Sequence, residues 1–373
     1  MSNSNNGEIC LKIDDLAFGG SGVGRHEGKV WFVPFTIPGE VVRAREISRK
    51  KSFTEGRLLE VCEASERRVE PRCAWFGICG GCTYQHMDYQ LQLEWKVRQV
   101  RTALERIAGL GRADSEELKV LPDIHCIPSP QPYGYRNRIS LRVWAGRPGF
   151  QAVNGRDFVP IERCEIAAPA INDRLQFLRK RKLADGRLTL RTHPGRKGFT
   201  QTNDEAAALL RNEVASMVPD SGQRLIDAYC GAGFFSKALR DRFQEVCGIE
   251  WSEPALELAR EETSPHEYYR AGDVEAELPS LLTSGPPTEV IVDPPRDGLS
   301  ASVCASLRSD CVTGITYVSC NPSTLARDLA RLGAGWQIER LTVVDMFPQT
   351  AEIECAARLV RRKEANFDNP SLR

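Results

Sequence analysis

Arg224-Leu-Ile-Asp-Ala-Tyr-Cys-Gly-Ala-Gly-Phe-Phe-Ser (224–236) reads as an apolar strand, a glycine turn and the start of a helix. Gly231 and Gly233 let backbone pass close to a ligand. A dinucleotide site would add a third glycine three residues after Gly233, and Ser236 stands there instead. The turn therefore reads as the floor of a pocket for a nucleoside without a pyrophosphate. Downstream, Glu245–Glu250 reads as a second strand and Pro254–Glu262 as a helix. Strands alternating with helices predict an α/β, Rossmann-like domain with a mostly parallel sheet. Asp227 precedes the glycines, Glu250 ends the second strand nineteen residues after Gly231, and Asp273 follows a third strand. A carboxylate at the position of Glu250 accepts hydrogen bonds from ribose hydroxyls. S-adenosylmethionine matches this set, with a ribose, an adenine and a cationic sulfonium but no phosphate.

Two further strand ends carry chemistry. Glu289-Val-Ile-Val-Asp-Pro-Pro-Arg-Asp-Gly (289–298) is an apolar strand that stops in a proline-fixed turn. Ligands of open α/β sheets bind at the carboxyl ends of strands, which puts Asp293 at the pocket. Gly314-Ile-Thr-Tyr-Val-Ser-Cys-Asn-Pro (314–322) is another strand, ending in Cys320. A lone cysteine usually packs as a small hydrophobe, but the polar neighbours Ser319 and Asn321 make this one a candidate nucleophile. Asp345-Met-Phe-Pro-Gln-Thr-Ala-Glu-Ile-Glu-Cys (345–355) supplies Glu354, in isolation an ordinary strand carboxylate. Together the two suit uracil, whose C5 is a poor nucleophile. A thiolate added at C6 turns the ring into an enolate, and C5 can then attack a sulfonium methyl. A carboxylate must next remove the C5 proton before the thiolate can leave.

Upstream, residues 8–62 read as all-β. Glu8–Leu16, Lys29–Phe35, Val41–Ile47 and Thr54–Val61 are strands, and four glycines within 17–25 mark a turn. Such spacing predicts a small barrel. Its basic residues Arg43, Arg45, Arg49, Lys50, Lys51 and Arg57 form either a solvated face or a phosphate-binding surface. Met87–Ile107 carries Leu91, Trp95, Val100 and Leu104 at helical spacing. Residues 120–200 alternate short strands with Pro and Gly turns, an α+β texture. There Tyr133-Gly-Tyr-Arg-Asn-Arg-Ile, followed by Arg142 and Arg147, mixes aromatic and basic residues, which suits either an unstacked base and its phosphates or a polar strand face. Cys73, Cys79 and Cys82 are spaced C-x5-C-x2-C around Gly80-Gly81. That spacing leaves zinc and an iron–sulfur cluster both open. Cys164 is the natural fourth ligand, with Cys62 and Cys126 as competitors.

The 373 residues include 50 Lys+Arg and 50 Asp+Glu. A uniformly basic nucleic-acid binder is thereby excluded, and any RNA surface must be a local patch. Thirteen cysteines without an export signal read as thiols, ligands or a nucleophile rather than a disulfide framework. No apolar run is long enough to span a membrane, and the first residues lack a secretory pattern. A cytoplasmic monomer with no membrane partner is expected.

The motifs Phe199-Thr-Gln-Thr-Asn, Asp227-Ala-Tyr-Cys-Gly-Ala-Gly-Phe-Phe-Ser, Asp293-Pro-Pro-Arg-Asp-Gly, Tyr317-Val-Ser-Cys-Asn-Pro-Ser-Thr-Leu-Ala-Arg-Asp-Leu and Asp345-Met-Phe-Pro-Gln-Thr occur in this order. With them the chain resembles the RNA 5-methyluridine methyltransferases, the RumA/TrmA-like family, from about residue 8 to residue 362. The resemblance implies Cys320 as nucleophile and Glu354 as base. It implies cofactor contacts from Gln201, Tyr229, Glu250, Asp273 and Asp293, beside Gly231 and Gly233 of the turn. It further implies a [4Fe–4S] cluster on Cys73, Cys79, Cys82 and Cys164, and RNA contact from Arg136 and Arg138. The expected domains are a TRAM-like RNA-binding barrel (1–62), a central α+β domain with the cluster (63–198) and a class I methyltransferase domain (199–373). Cluster and barrel together favour the 23S rRNA branch over the tRNA branch. An exocyclic-amine methyltransferase and a non-catalytic RNA-binding relative are the competing readings. The former would place an aromatic residue where Arg296 stands and has no need of Cys320. Two departures are visible. Glu352 replaces the family's histidine, which brings a second carboxylate two residues from Glu354 and is expected either to raise its pKa or to alter substrate positioning. Phe234 replaces an asparagine of the glycine turn.

Overall fold

The computed structural model describes residues 7–111, 121–192 and 201–362. Five strands, β1 (Glu8–Leu16), β2 (Ser21–His26), β3 (Lys29–Pro34), β4 (Val41–Arg49) and β5 (Phe53–Glu63), close into a barrel in the order β1-β2-β3-β5-β4. Alternation along the strands sends Leu11, Ile13, Trp31, Val33, Val42 and Ala44 inward as one core. The barrel has one strand more than the sequence pattern suggests. Gly19 and Gly20, with φ of +95° and +93°, make the turn, but Gly22 and Gly24 lie in β2. A Cβ on Gly24 would stand 2.3 Å from the carbonyl oxygen of Lys12. These two glycines are needed for close strand packing, which composition alone does not distinguish from a turn.

After the barrel comes a long loop and then α1 (Tyr89–Ile107), whose first turn is capped by the Asp88 carboxylate accepting from the Leu91 amide. The short strand β6 (Ile124–Ile127) follows. A small sheet is then built from β7 (Arg138–Trp144), β8 (Arg147–Gln151) and β9 (Phe158–Pro160). Helix α2 (Pro169–Arg179) packs on it, and β10 (Gly186–Arg191) completes it in the order β10-β7-β8-β9.

The remaining chain alternates α3 (Asp204–Met217), β11 (Gly222–Ala228), α4 (Ser236–Leu239), β12 (Phe243–Glu250), α5 (Glu253–Arg260), β13 (Glu267–Ala271), α6 (Val274–Leu282), β14 (Thr288–Val292), α7 (Ala301–Ser306), β15 (Val312–Ser319), α8 (Pro322–Leu332), β16 (Trp336–Val344) and β17 (Glu354–Arg361). They form an eight-stranded sheet in the order β13-β12-β11-β14-β15-β17-β16-β6. From β13 to β15 all neighbours are parallel, while β17 runs antiparallel to β15 and to β16. Strand order reverses between β11 and β14, so a crevice opens outside their carboxyl ends.

Two elements before residue 128 join this sheet's core. Strand β6 pairs in parallel with β16. Helix α1 packs on α8 and sends Val100, Leu104 and Ala108 into the same apolar cluster as Ile226, Leu325 and Leu332. A four-residue strand is too short to announce its partner by periodicity, and in the structure it packs beside α1 as it pairs with β16. Lys96 and Asp345, both fully buried, meet at 2.6 Å. Asp345 also accepts from the Tyr89 hydroxyl at 2.8 Å, and Lys96 also donates to the Phe347 carbonyl at 3.0 Å. Removing one partner of such a pair costs about 3–5 kcal/mol, because the other charge is left buried and alone. Among the described residues no helix is long and apolar enough to cross a membrane.

Candidate active site

The carboxyl ends of β11, β12, β14 and β15 and the start of β17 lie along one edge of the sheet. Asp227 is the next-to-last residue of β11 and fully buried. Its Oδ2 accepts from the Ser236 amide at 2.9 Å, while its Oδ1 is buried with no hydrogen-bond partner. Ser236 thus fills the place of a third glycine by closing the turn back onto β11. Tyr229 has a φ of +66°, a strained conformation for a residue with a Cβ. Gly231 has a φ of +55°, and a Cβ there would meet nothing within 4 Å, so the turn faces open space.

Glu250 ends β12 and is held from both sides, by the Gly231 amide at 3.0 Å and the Ser252 amide at 2.8 Å. Its neighbour Trp251 is 79% exposed, the most exposed large apolar side chain among the described residues. Sequence reading passed over Trp251, since one aromatic residue after an acidic one carries no periodic signal. Asp273 is exposed and caps α6 by accepting from the Glu275 amide. Gln201 lies just before α3, and its carbonyl accepts from Asn137 Nδ2 at 2.9 Å. Phe199 and Thr200, part of the same motif, lie outside the described residues.

The two turns that bear Asp293 and Cys320 are tied together. Asn321 Nδ2 and Thr324 Oγ1 both donate to the Arg296 carbonyl. Buried Asp328 accepts from the Leu299 amide at 2.7 Å and from the Tyr317 hydroxyl at 2.9 Å. Gly298, with a φ of +73°, has no room for a Cβ, which would meet the Asp328 carboxylate at 2.4 Å. Strand β17 lies antiparallel beside β15 with Ser319 opposite Cys355. One further step along both strands sets Cys320 against Glu354.

Electrostatics link these groups into one field. Burial pushes the Asp227 carboxyl up to about 7, with Glu250 adding to the shift. Burial, then the neighbouring Asp227, pushes Asp293 up to about 7. Glu354 is raised well above the carboxylate range by burial, Asp293 and Glu352, with Arg296 opposing. Cys320 is pushed up to about 11 by burial, Glu354 and Asp293, again with Arg296 opposing. The substitution at 352 thus raises Glu354 as expected, but Glu352 also forms an ion pair with Arg296. Phe234 stacks edge-on against Phe235 and lies beneath the Arg211 guanidinium.

A second feature lies in the central region. Cys73, Cys79, Cys82 and Cys164 line one cavity of about 380 Å³ together with Trp75, Phe76, Arg136 and Arg138. Cys62 lies exposed on β5 and Cys126 on β6, and neither lines that cavity. Burial raises all four lining thiols, Cys82 to about 12 and Cys164 to about 11. Among the described residues no three His, Cys, Asp or Glu side chains close around a single ion.

Basic residues are arranged differently from the sequence expectation. In the barrel, Arg43 pairs with Glu8 and Glu60, Arg45 with Glu8, and Arg49 with Glu46. In the small sheet, Arg142 stands directly opposite Arg187, and Arg138 opposite Arg191. None of Arg138, Arg142, Arg147 and Arg187 forms an ion pair with a described acidic residue. Arg142 lies over the ring of Trp144, itself half exposed. Arg187 and its register could not be read from a sequence in which β10 follows β7 by more than forty residues.

A parallel sheet with a nucleoside-type glycine turn and a row of buried carboxylates defines an S-adenosylmethionine-dependent methyltransferase. Residues 281–362 match the family described as tRNA (Uracil-5-)-methyltransferase, and residues 6–59 match the TRAM domain. An RNA methyltransferase of Protochlamydia amoebophila is 31% identical, with 93% of this chain and 96% of that protein covered. The 23S rRNA (uracil(1939)-C(5))-methyltransferase RlmD of Acidithiobacillus ferrooxidans is 30% identical, with 94% and 96% covered. The tRNA (uracil-54, C5)-methyltransferase of Pyrococcus abyssi, solved with S-adenosyl-L-homocysteine, shares the fold. Its TM-score is 0.73 at 24% identity, with 94% of this chain and all of that one covered. The chain belongs to the S-adenosylmethionine-dependent RNA (uracil-5-)-methyltransferase family.

Cofactor affinity should therefore depend on pH. A cation in the crevice favours ionised Asp227 and Asp293, both pushed up to about 7 by burial. Below that pH, binding must expel protons, so affinity for S-adenosylmethionine should rise as pH goes from 6 to 8. S-adenosylhomocysteine lacks the sulfonium charge and should show a shallower rise. Calorimetry in buffers of different ionisation enthalpy measures the proton release directly. Equal slopes for the two ligands would contradict the role given to these carboxylates.

Proposed function

We propose that the chain methylates C5 of a uridine in 23S rRNA through a covalent adduct between Cys320 and C6 of the ring. The observation that carries this reading is the β15–β17 register, which sets Cys320 against Glu354 beside Asp293. In the free site burial raises both groups and so disfavours their ionised forms. A cation in the crevice, with Arg296, favours their ionised forms, so loading the cofactor arms the pair. S-adenosylmethionine, when bound, supplies an electrophilic methyl group. The Cys320 thiolate adds to C6 and pushes electron density onto O4, so that C5 becomes the carbon that takes the methyl. Glu354 removes the proton from C5, the enolate re-forms, and its electrons expel Cys320 from C6. Gln201, Tyr229, Gly231, Gly233, Glu250, Asp273 and Asp293 are assigned to the cofactor, and exposed Trp251, next to Glu250, is assigned to cover its base. The 23S rRNA target rests on the full-length likeness to the Acidithiobacillus ferrooxidans protein; tRNA is the alternative.

Cys73, Cys79, Cys82 and Cys164 are assigned to a [4Fe–4S] cluster. What supports this assignment is that the four thiols line one cavity, which Cys62 and Cys126 do not. The cluster would hold the central region in shape, with no part in the methylation steps. RNA phosphates are assigned to the small sheet. Like charges directly opposite one another cost stability, and an anionic backbone is the ligand that repays the pairing of Arg142 with Arg187.

Three measurements test these assignments. Cys320→Ala should form no covalent adduct with RNA and transfer no methyl group, while Glu354→Gln should methylate and then stall as an adduct stable to denaturing electrophoresis. Retained activity in Cys320→Ala would favour amine methylation instead. Anaerobically purified protein should be brown with about four irons per chain, and Cys164→Ser should lose iron where Cys126→Ser keeps it. Finally, the double change Arg142→Ala with Arg187→Ala should lower the slope of log affinity against log salt by roughly 1.5. It should leave thermal stability unchanged or raised, and an unchanged slope would place the phosphates elsewhere.

A further inference from the structure

Glu354 is the first residue of β17, and the chain reaches it through the irregular segment 345–353. That segment is held at most of its turns by residues far away in sequence. The Pro348 carbonyl accepts from the Tyr135 hydroxyl at 3.0 Å and the Met346 carbonyl from Asn203 Nδ2 at 3.2 Å. The densest set of bonds lies around Gln349, which is 2% exposed and has a φ of +67°. This left-handed conformation suits glycine and is strained for glutamine. The side chain that brings the strain also makes a bond no glycine could. Gln92 Nε2 donates to Gln349 Oε1 at 3.1 Å, and the Gln349 amide donates to Gln92 Oε1 at 3.0 Å. The Gln349 carbonyl accepts from the amides of Thr83 and Tyr84 at 3.1 and 3.0 Å. The Ala351 amide donates to Thr83 Oγ1 at 2.8 Å.

Thr83 and Tyr84 follow Cys82 directly, so the peptide that grips the loop is anchored at the four-cysteine cavity. The barrel closes the third side. A Cβ on Gly20 would lie 3.1 Å from both the Cβ of Ala351 and the ring of Tyr84. Three parts of the molecule thus meet at the loop that delivers Glu354, whereas the β15 turn that delivers Cys320 is bonded to the Asp293 turn through Asn321, Thr324 and Asp328, none of which bonds to Gln92, Thr83 or Gln349.

We infer that Gln349, clamped by Gln92 and Thr83, is a positioning residue that sets Glu354 for removal of the C5 proton. The inference rests on the reading of Glu354 as the base. Its consequence is asymmetric. Loosening the clamp displaces the base while the nucleophile keeps its place, and a misplacement near 1 Å can cost roughly a hundredfold in rate. Methyl transfer should survive and elimination should slow.

The test is a single-turnover assay with methyl-labelled cofactor and a uridine-containing RNA. It follows label transfer and release of RNA from protein separately, for Gln92→Leu, Gln349→Gly, Thr83→Val and Thr83→Ser. Binding of S-adenosylhomocysteine checks that each variant is folded. Gln92→Leu and Thr83→Val should transfer methyl within about threefold of the parent, yet release RNA roughly tenfold or more slowly and accumulate the methylated adduct. Gln349→Gly relieves the backbone strain but loses the side-chain bond, and should show the same defect. Thr83→Ser keeps the hydroxyl and should restore release. Transfer and release slowed in equal proportion, or no change in either, would overturn the clamp. Glu354→Gln run alongside separates the two readings. If it traps no adduct, the assignment of the base has failed. If it traps adduct and the clamp variants do not, only the positioning role has.

Discussion

The site is organised by a shortage of positive charge. Asp227 and Asp293 stand at the ends of the adjacent strands β11 and β14, Glu354 opens β17 on the far side of β15, and each is raised by burial and by a neighbouring carboxylate. Glu250 stands at the end of the row and is the best satisfied, with two backbone amides on its oxygens. Asp227 has one amide and one buried oxygen with nothing to bind. Such an arrangement costs stability in the free protein. It persists only if the surrounding fold over-determines it, and a sulfonium ligand recovers part of the cost on binding.

That over-determination comes mostly from the first third of the chain. Helix α1 buries Val100 and Leu104 in the sheet's own core and inserts Lys96 against Asp345. The pair is fully desolvated, and its worth is specificity of docking more than net stability. A sliding helix would leave the Asp345 carboxylate without its ammonium and the Tyr89 hydroxyl without its acceptor. The start of the loop to Glu354 is thereby fixed by one ion pair, and its middle by amide–amide bonds to the next turn of the same helix.

The sheet was legible in the sequence because its strands are buried on both faces. Leu225, Ile226, Val290, Ile291, Ile315 and Val318 form short apolar runs, each ended by a polar turn. The candidate site was legible for the same reason, since its acidic residues and Cys320 interrupt those runs at strand ends. What escaped has physical causes. Gly22 and Gly24 looked like a turn because a glycine demanded by packing and one demanded by φ are the same letter. Strand β6 is too short to carry a period, and it pairs with a strand more than two hundred residues later. Gln349 lies within the motif Asp345-Met-Phe-Pro-Gln-Thr, yet neither its positive φ nor its bond to Gln92 has any local sequence signature.

The basic residues show why a charge count says little about a binding surface. In the barrel, Arg43 and Arg45 meet glutamates across strands, so part of a cluster that is basic by sequence is neutralised in space. In the small sheet, Arg142 and Arg187 have no such ion pair among the described residues. Arg142 and Arg187 come from distant segments and are brought together by register, with no carboxylate to separate them. Burial of Ile139, Leu141 and Leu190 on the opposite face fixes that register. A shift by one residue would turn the arginines into the core and the leucines to solvent, so the apolar face of the sheet enforces the repulsion on its outer face. A formally neutral chain can thus carry a strongly positive strip, placed by hydrophobic packing rather than by local sequence composition.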